Sequence, residues 1–221
     1  MSGATYTGDV TVGGPSDTRE LPGLTVTKVA VGQYDNNCYL LHCSRTGEQL
    51  LVDAAAEPET LLGLVGEPGL ATIVTTHRHF DHVQALAPVA SATRAVTVAH
   101  EADAPAIPVP TARIVRDGDE ITVGDVRLRA IHLVGHTPGS IALLYDVDPA
   151  APHLFTGDCL FPGGPGNTQQ DPERFATLMA GLEEKVFGPL PDATWVYPGH
   201  GKDTTLGAER PHLAEWRARG W

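Results

Sequence analysis

The chain is poor in lysine, cysteine, methionine and aromatic side chains, and it has no long apolar run. Lysine occurs only at Lys28, Lys185 and Lys202. The 15 basic residues face 27 acidic ones, for a formal net charge of −12. A surface of that sign repels nucleic acid and anionic membranes, so both are excluded as partners. Cysteine occurs only at Cys38, Cys43 and Cys159. An odd, sparse set does not suggest a disulfide framework, and all three are expected as packed, reduced thiols. No segment approaches the roughly 20 apolar residues that a membrane span needs. Residues 1–20 have neither the basic start nor the apolar stretch of a secretory signal. The expectation is a cytoplasmic protein, a monomer or small homo-oligomer, acting on a small molecule.

What is present suffices for a folded domain. Of the 221 residues, 42% are hydrophobic, but only 6% are aromatic, so the core must rest on Val, Leu, Ile and Ala. No linker is long or low in complexity, which favours a single α/β domain over residues 1–221. Residues 1–22 are polar and rich in Gly, and are expected to be loosely ordered. Alternating or β-branched runs predict strands at 24–31, 38–43, 49–52, 71–76, 96–99, 120–123, 126–134, 140–146, 153–155 and 194–197. Helices are expected at 57–65, at 81–92, from Asp171-Pro172 through Val186, and at 209–216. Asp171 before Pro172 is a strong start, an N-cap carboxylate followed by a proline in the first turn.

Five of the ten histidines fall in short motifs at strand ends or in Gly-rich turns. The densest is His77-Arg78-His79-Phe80-Asp81-His82, after one strand and before a helix. On extended chain, residues two apart point the same way, so His77 and His79 can converge on one cation. Asp81 and His82 follow as the chain turns, and can address a second position. Imidazole and carboxylate suit zinc and similar divalent metals. Gly135-His136-Thr137-Pro138-Gly139, Gly157-Asp158-Cys159 and Pro198-Gly199-His200-Gly201 are weak singly. Together, in this order and each at a strand end, they are informative.

With those motifs the chain resembles the metallo-β-lactamase-fold hydrolases, and among them the short glyoxalase-II-like (hydroxyacylglutathione hydrolase-like) group. Asp35-Asn36-Asn37-Cys38-Tyr39-Leu40, Leu51-Val52-Asp53 and Thr205-Leu206-Gly207-Ala208-Glu209-Arg210 belong to the same likeness. The resemblance implies a four-layer αβ/βα sandwich with a metal site at one edge of two sheets. It implies that His77, His79 and His136 hold one metal, and that Asp81, His82 and His200 hold the other. Asp158 would bridge both, and Asp53 would orient ligands without binding metal itself. The cofactors would be two divalent ions, zinc first, with iron or manganese as alternatives. Asp81 and Asp158 would act in catalysis with a metal-bound hydroxide, since two cations ~3.5–4 Å apart lower the pKa of a shared water toward ~7.

The implied substrate is an acylated thiol, cleaved as a thioester. Asp158 argues against a true β-lactamase, where the likeness would call for a cysteine, a serine or a non-bridging arrangement. Two departures weaken glutathione as the thiol. Only residues 202–221 follow the last motif, and Gly166-Asn167 stands where the related enzymes usually have Gly-Arg. Lactones, phosphoesters and β-lactams are the other hydrolase readings. A rival of another class is a persulfide dioxygenase, with one Fe(II) on His77, His136 and Asp158. The loop 163–168, which leaves Asp158, is expected to reach the mouth of the site.

Overall fold

A computed structural model describes residues 5–67 and 69–220. One mixed sheet holds seven strands in chain order: β1 (Asp17–Leu21), β2 (Leu24–Val31), β3 (Asn36–Cys43), β4 (Gln49–Val52), β5 (Thr72–Val74), β6 (Val96–His100) and β7 (Arg113–Val115). Strands β1 to β4 pair antiparallel through short turns. Strands β4 to β7 pair parallel, which requires crossovers. Two of these crossovers carry helices α1 (Pro58–Val65) and α2 (Leu86–Thr93).

The second sheet begins with β8 (Glu120–Val123), β9 (Val126–His132), β10 (Ile141–Tyr145) and β11 (His153–Gly157). A small hairpin of β12 (Leu160–Phe161) and β13 (Gly164–Pro165) follows, and then helix α3 (Pro172–Leu182). Strands β14 (Trp195–Pro198) and β15 (Thr204–Thr205) complete the sheet, with β14 parallel to β11. Helices α4 (Leu206–Glu209) and α5 (Leu213–Arg219) end the described chain.

Period-two alternation decides which core each strand residue enters. Leu24 and Val26 of β2, Tyr39 and Leu41 of β3, Leu128 of β9 and Leu143 of β10 meet between the sheets. Their neighbours Val29, Val31, Cys38 and Leu40 face α1 and α2 in a second core. Ala142, Leu144 and Leu154 face Leu178, Met179 and Leu182 of α3 in a third. Three cores separate four layers, αβ/βα. Because both faces of each sheet are covered, β3, β4 and β10 read as apolar runs rather than clean alternations.

The helix expected over 81–92 is interrupted. Residues 80–82 make a single 3₁₀ turn, and α2 starts only at Leu86. The cause is the loop after β4. Gln84 and Ala85 donate their amides to Ala55 and Ala54 carbonyls at 3.0 Å, not to a helix. That break leaves Asp81 and His82 outside the α-helix. The terminal helix expected at 209–216 instead begins at Leu206, capped by Thr205 Oγ1, and tightens to 3₁₀ at Arg210–His212. Pro211, which has no amide proton, sits in that tight turn.

The loosely ordered start expected for 1–22 is corrected where the chain is described. Residues 17–21 form β1, in full register with β2. Further back, Tyr6 packs edge-on to Trp195 and donates to Asp203 Oδ2 at 2.7 Å. The partners of Tyr6 lie far along the chain, where no local pattern reveals them. Trp216 is buried against Phe187, while Trp221 lies outside the described residues. No described helix is long and apolar enough to cross a membrane.

Candidate metal centre

The functional side chains gather where several strands end. His77 follows β5, His136 follows β9, Asp158 follows β11 and His200 follows β14. The structure brings all seven expected ligands into one cluster, at the sheet edge implied by the sequence.

The first group is His77, His79 and His136. His77 Nε2 lies 3.1 Å from His79 Nδ1 and 3.3 Å from His136 Nε2. The second is Asp81, His82 and His200. His82 Nε2 is 3.2 Å from His200 Nε2 and 3.6 Å from Asp81 Oδ2. His200 Nε2 is 3.3 Å from the same carboxylate oxygen. Asp158 sits between the groups. Its Oδ2 is 3.6 Å from His136 Nε2 and 3.5 Å from His200 Nε2, and its Oδ1 is 3.3 Å from His82 Nε2.

These separations fit a cation. A tetrahedral centre with ligand distances of about 2.0–2.1 Å has donor–donor edges of about 3.3–3.4 Å. Asp158 Oδ1 is also buried without a hydrogen-bond partner, a costly arrangement for a carboxylate oxygen unless something positive joins it. Two glycines allow it to sit there. A Cβ on Gly199 would collide with Asp158 Oδ1, and one on Gly166 with the Asp158 carbonyl.

Three of the ring nitrogens that do not face the cluster are held by distant segments. His82 Nδ1 lies 2.8 Å from Asp53 Oδ2. His136 Nδ1 lies 2.8 Å from the Asn167 carbonyl, and His200 Nδ1 lies 2.7 Å from the Tyr34 carbonyl. Each of these partners accepts, so each imidazole donates there and turns its Nε2 toward the cluster. Asp53 also accepts from Thr76 N at 2.7 Å and from Thr76 Oγ1 at 2.8 Å, in a backbone with φ 59°.

The electrostatics pull the same way. Burial pushes His136 down to about 4 and, with His82, drives His77 well below the ordinary imidazole value. Burial opposes charge on His200 too, but Asp158 and Asp81 overcome it and raise the group to about 9. Burial likewise opposes charge on His82, and Asp158 and Asp53 raise it. His82 and His200 hold Asp158 well below the usual carboxylate range, against its burial. The carboxylates thus demand positive charge. Protons meet that demand only by placing two imidazolium rings nitrogen to nitrogen at 3.2 Å. A divalent cation meets it without that repulsion.

Several contributors carry no signal at the level of motif chemistry. Asn36 Nδ2 donates to Asp81 Oδ2 at 2.9 Å, and Asn37 N donates to the Gly199 carbonyl at 2.7 Å. Together they hold β3 against the His200 loop. Asp103, fully buried, accepts from Arg78 N, Thr137 Oγ1 and Gly139 N, and so locks the His77–His82 run to the His136 turn. Arg174 of α3 donates to the carbonyls of Gly135 and His136. The loop 163–168 does reach the site, through the Asn167 carbonyl behind His136. Cys159 points away, its thiol 3.8 Å from the Leu133 carbonyl.

Comparison with known proteins agrees with this arrangement. Residues 31–200 match the family model of the metallo-beta-lactamase superfamily. A hydroxyacylglutathione hydrolase of Polaromonas sp. is 37% identical over 169 residues, which are 76% of this chain and 62% of that protein. The chain therefore spans somewhat under two thirds of that relative's length. Among solved structures, TTHA1623 in a di-iron-bound form is 34% identical, with a TM-score of 0.69, over 83% of this chain and 96% of that one. ETHE1 from Myxococcus xanthus is 28% identical, with a TM-score of 0.75, over 85% of this chain and 82% of that one. The strand-end His and Asp cluster, the four-layer sandwich and the match over 31–200 lead to one conclusion: the chain belongs to the metallo-beta-lactamase superfamily.

Proposed function

We propose that this protein is a hydrolase with a two-cation centre, and that its substrates are thioesters. The observation that carries the reading is Asp158. Its carboxylate lies within 3.6 Å of ring nitrogens from both groups, and one of its oxygens has no other partner. In this reading His77, His79 and His136 hold one cation, Asp81, His82 and His200 hold the other, and Asp158 serves both. Zinc suits the imidazole-rich set, with iron or manganese as alternatives.

Two bound divalent cations supply a water activated at neutral pH and an electrophile for the thioester carbonyl. The chain's own residues prepare the rest. Asp53, Asn167 and Tyr34 fix the orientations of His82, His136 and His200, so no ring has to turn for its Nε2 to face a cation. Asp81 and Asp158 are the carboxylates of the cluster, and can hold the proton released as water adds. Asn36 steers Asp81 and keeps its free oxygen lone pairs directed. A thiolate leaves without protonation, so thioester cleavage asks no general acid of the chain.

The one-iron alternative needs only His77, His136 and Asp158. The equally complete set Asp81, His82 and His200 beside it favours two cations. Metal analysis of protein loaded to saturation, with a hydrolysis panel of thioesters, lactones and phosphodiesters, tests the proposal. Two equivalents and thioester turnover are expected. One equivalent after saturation, with oxygen consumed on a persulfide, would overturn it.

A further inference from the structure

A cavity of ≈ 330 Å³ opens beside His79 and His136. Arg78, Arg174 and Gln169 help to line it, and no carboxylate does. In a chain of net charge −12, that is a local reversal of sign.

The two guanidinium groups differ in what they are free to do. Arg174 is committed. It donates to the Gly135 and His136 carbonyls and to Gln169 Oε1 at 2.9 Å. The Arg78 backbone amide donates to Asp103 Oδ2 at 3.0 Å. Its Nε pairs with Asp103 Oδ1 at 3.7 Å, an ion pair too long for a hydrogen bond, and that oxygen already accepts from Gly139. Among the described residues the Arg78 guanidinium makes no hydrogen bond, and its side chain is 39% exposed. A planar fork of five donors, weakly hydrated and held one residue from two metal-site histidines, matches a carboxylate in shape and charge.

We propose that Arg78 binds a carboxylate of the substrate in this cavity, so that the preferred thioesters are anionic on the part lying beside His79 and His136. The inference rests on the hydrolase reading above and names its substrate class. Arg78 would act in binding and specificity, not in bond cleavage, so its effect belongs mainly in KM.

S-acetyl-3-mercaptopropionate and its carboxamide share size and leaving thiol and differ by one charge. They are to be assayed on metal-loaded wild type, Arg78→Ala and Arg78→Lys, with metal content measured on each. The wild type is expected to favour the carboxylate in kcat/KM by about 10- to 100-fold, the range of a hydrogen bond to a charged group. Arg78→Ala should bring the ratio close to one, and Arg78→Lys should retain part of it. Arg78→Gln, which keeps the stem, takes the place of Arg78→Ala if that variant loses metal. A wild-type ratio near one, or a ratio unchanged in the neutral variants, overturns the proposal. If the wild type cleaves neither compound, the thioester reading fails and Arg78 is judged by calorimetry with glutarate. Binding that weakens tenfold or more without the guanidinium supports the proposal. Equal binding, or none to the wild type, overturns it.

Discussion

Asp53 Oδ2 lies 2.8 Å from His82 Nδ1, with both side chains buried and 29 residues apart in sequence. The carboxylate is saturated with donors, since Thr76 supplies two more. Asp53→Asn keeps the shape and tolerates the left-handed backbone at φ 59°. It must, however, aim an NH₂ at one of those donors. The expected result is a 10- to 100-fold weaker affinity at the cation position of His82, read by chelator competition. Unchanged affinity would show that His82 needs no orienting partner.

Among the described residues, Asp158 is the one carboxylate paired with ring nitrogens of both histidine groups. Asp158→Ala is expected to reduce bound metal from two equivalents to one or fewer. Turnover should fall by at least about 10²–10³-fold, the scale for losing one charge-stabilising group. Elemental analysis and steady-state kinetics check this, and full metal with retained turnover would refute the shared role.

Lys28 is fully buried and pairs with Asp203 at 2.7 Å. It also donates to the carbonyl of Gly201, next to His200. Asp203 in turn accepts from Tyr6 and Trp195. Lys28→Met leaves that carboxylate uncompensated, and a loss of about 3–5 kcal/mol is expected in urea unfolding. The double variant with Asp203→Leu should recover much of it, because no lone charge then stays buried. A double variant as unstable as the single one would place the loss in packing instead.

His153 supplies a pH dependence apart from the metal centre. Burial pushes its imidazole down to about 4, and its Nδ1 lies 3.0 Å from the Tyr197 hydroxyl, which donates to the neutral ring. The unfolded chain, with an ordinary value near 6.5, binds the proton first. Stability from this group is therefore complete above about pH 6.5 and is lost as pH falls toward 4. His153→Phe should show a smaller drop in urea midpoint between pH 7 and 4.5 than the parent, both measured without metal. Parallel curves for the two proteins would exclude the effect.

Local spacing made part of this protein legible. His77 and His79 could be paired on extended chain, and Asp81 and His82 set beside them, because one turn of chain fixes their separation. The cap at Asp171 was equally local, and its carboxylate accepts from Glu173 and Arg174 amides as expected. The break before α2 was not legible, since it depends on amides at 84 and 85 finding carbonyls at 54 and 55. Nor was the placement of Tyr6, whose partners at Trp195 and Asp203 lie far along the chain.

The sequence by itself determined the donor types, their order and their placement at strand ends, because ligand chemistry and strand patterning are properties of short segments. Tertiary structure alone decided that Asp158 stands between two groups with a bare oxygen. It alone aimed three imidazoles with carbonyls and a carboxylate from distant segments, and left the Arg78 guanidinium without a hydrogen bond beside them. Those outcomes depend on the packing of the two sheets, which brings Tyr34 and His200, 166 residues apart, within hydrogen-bond reach.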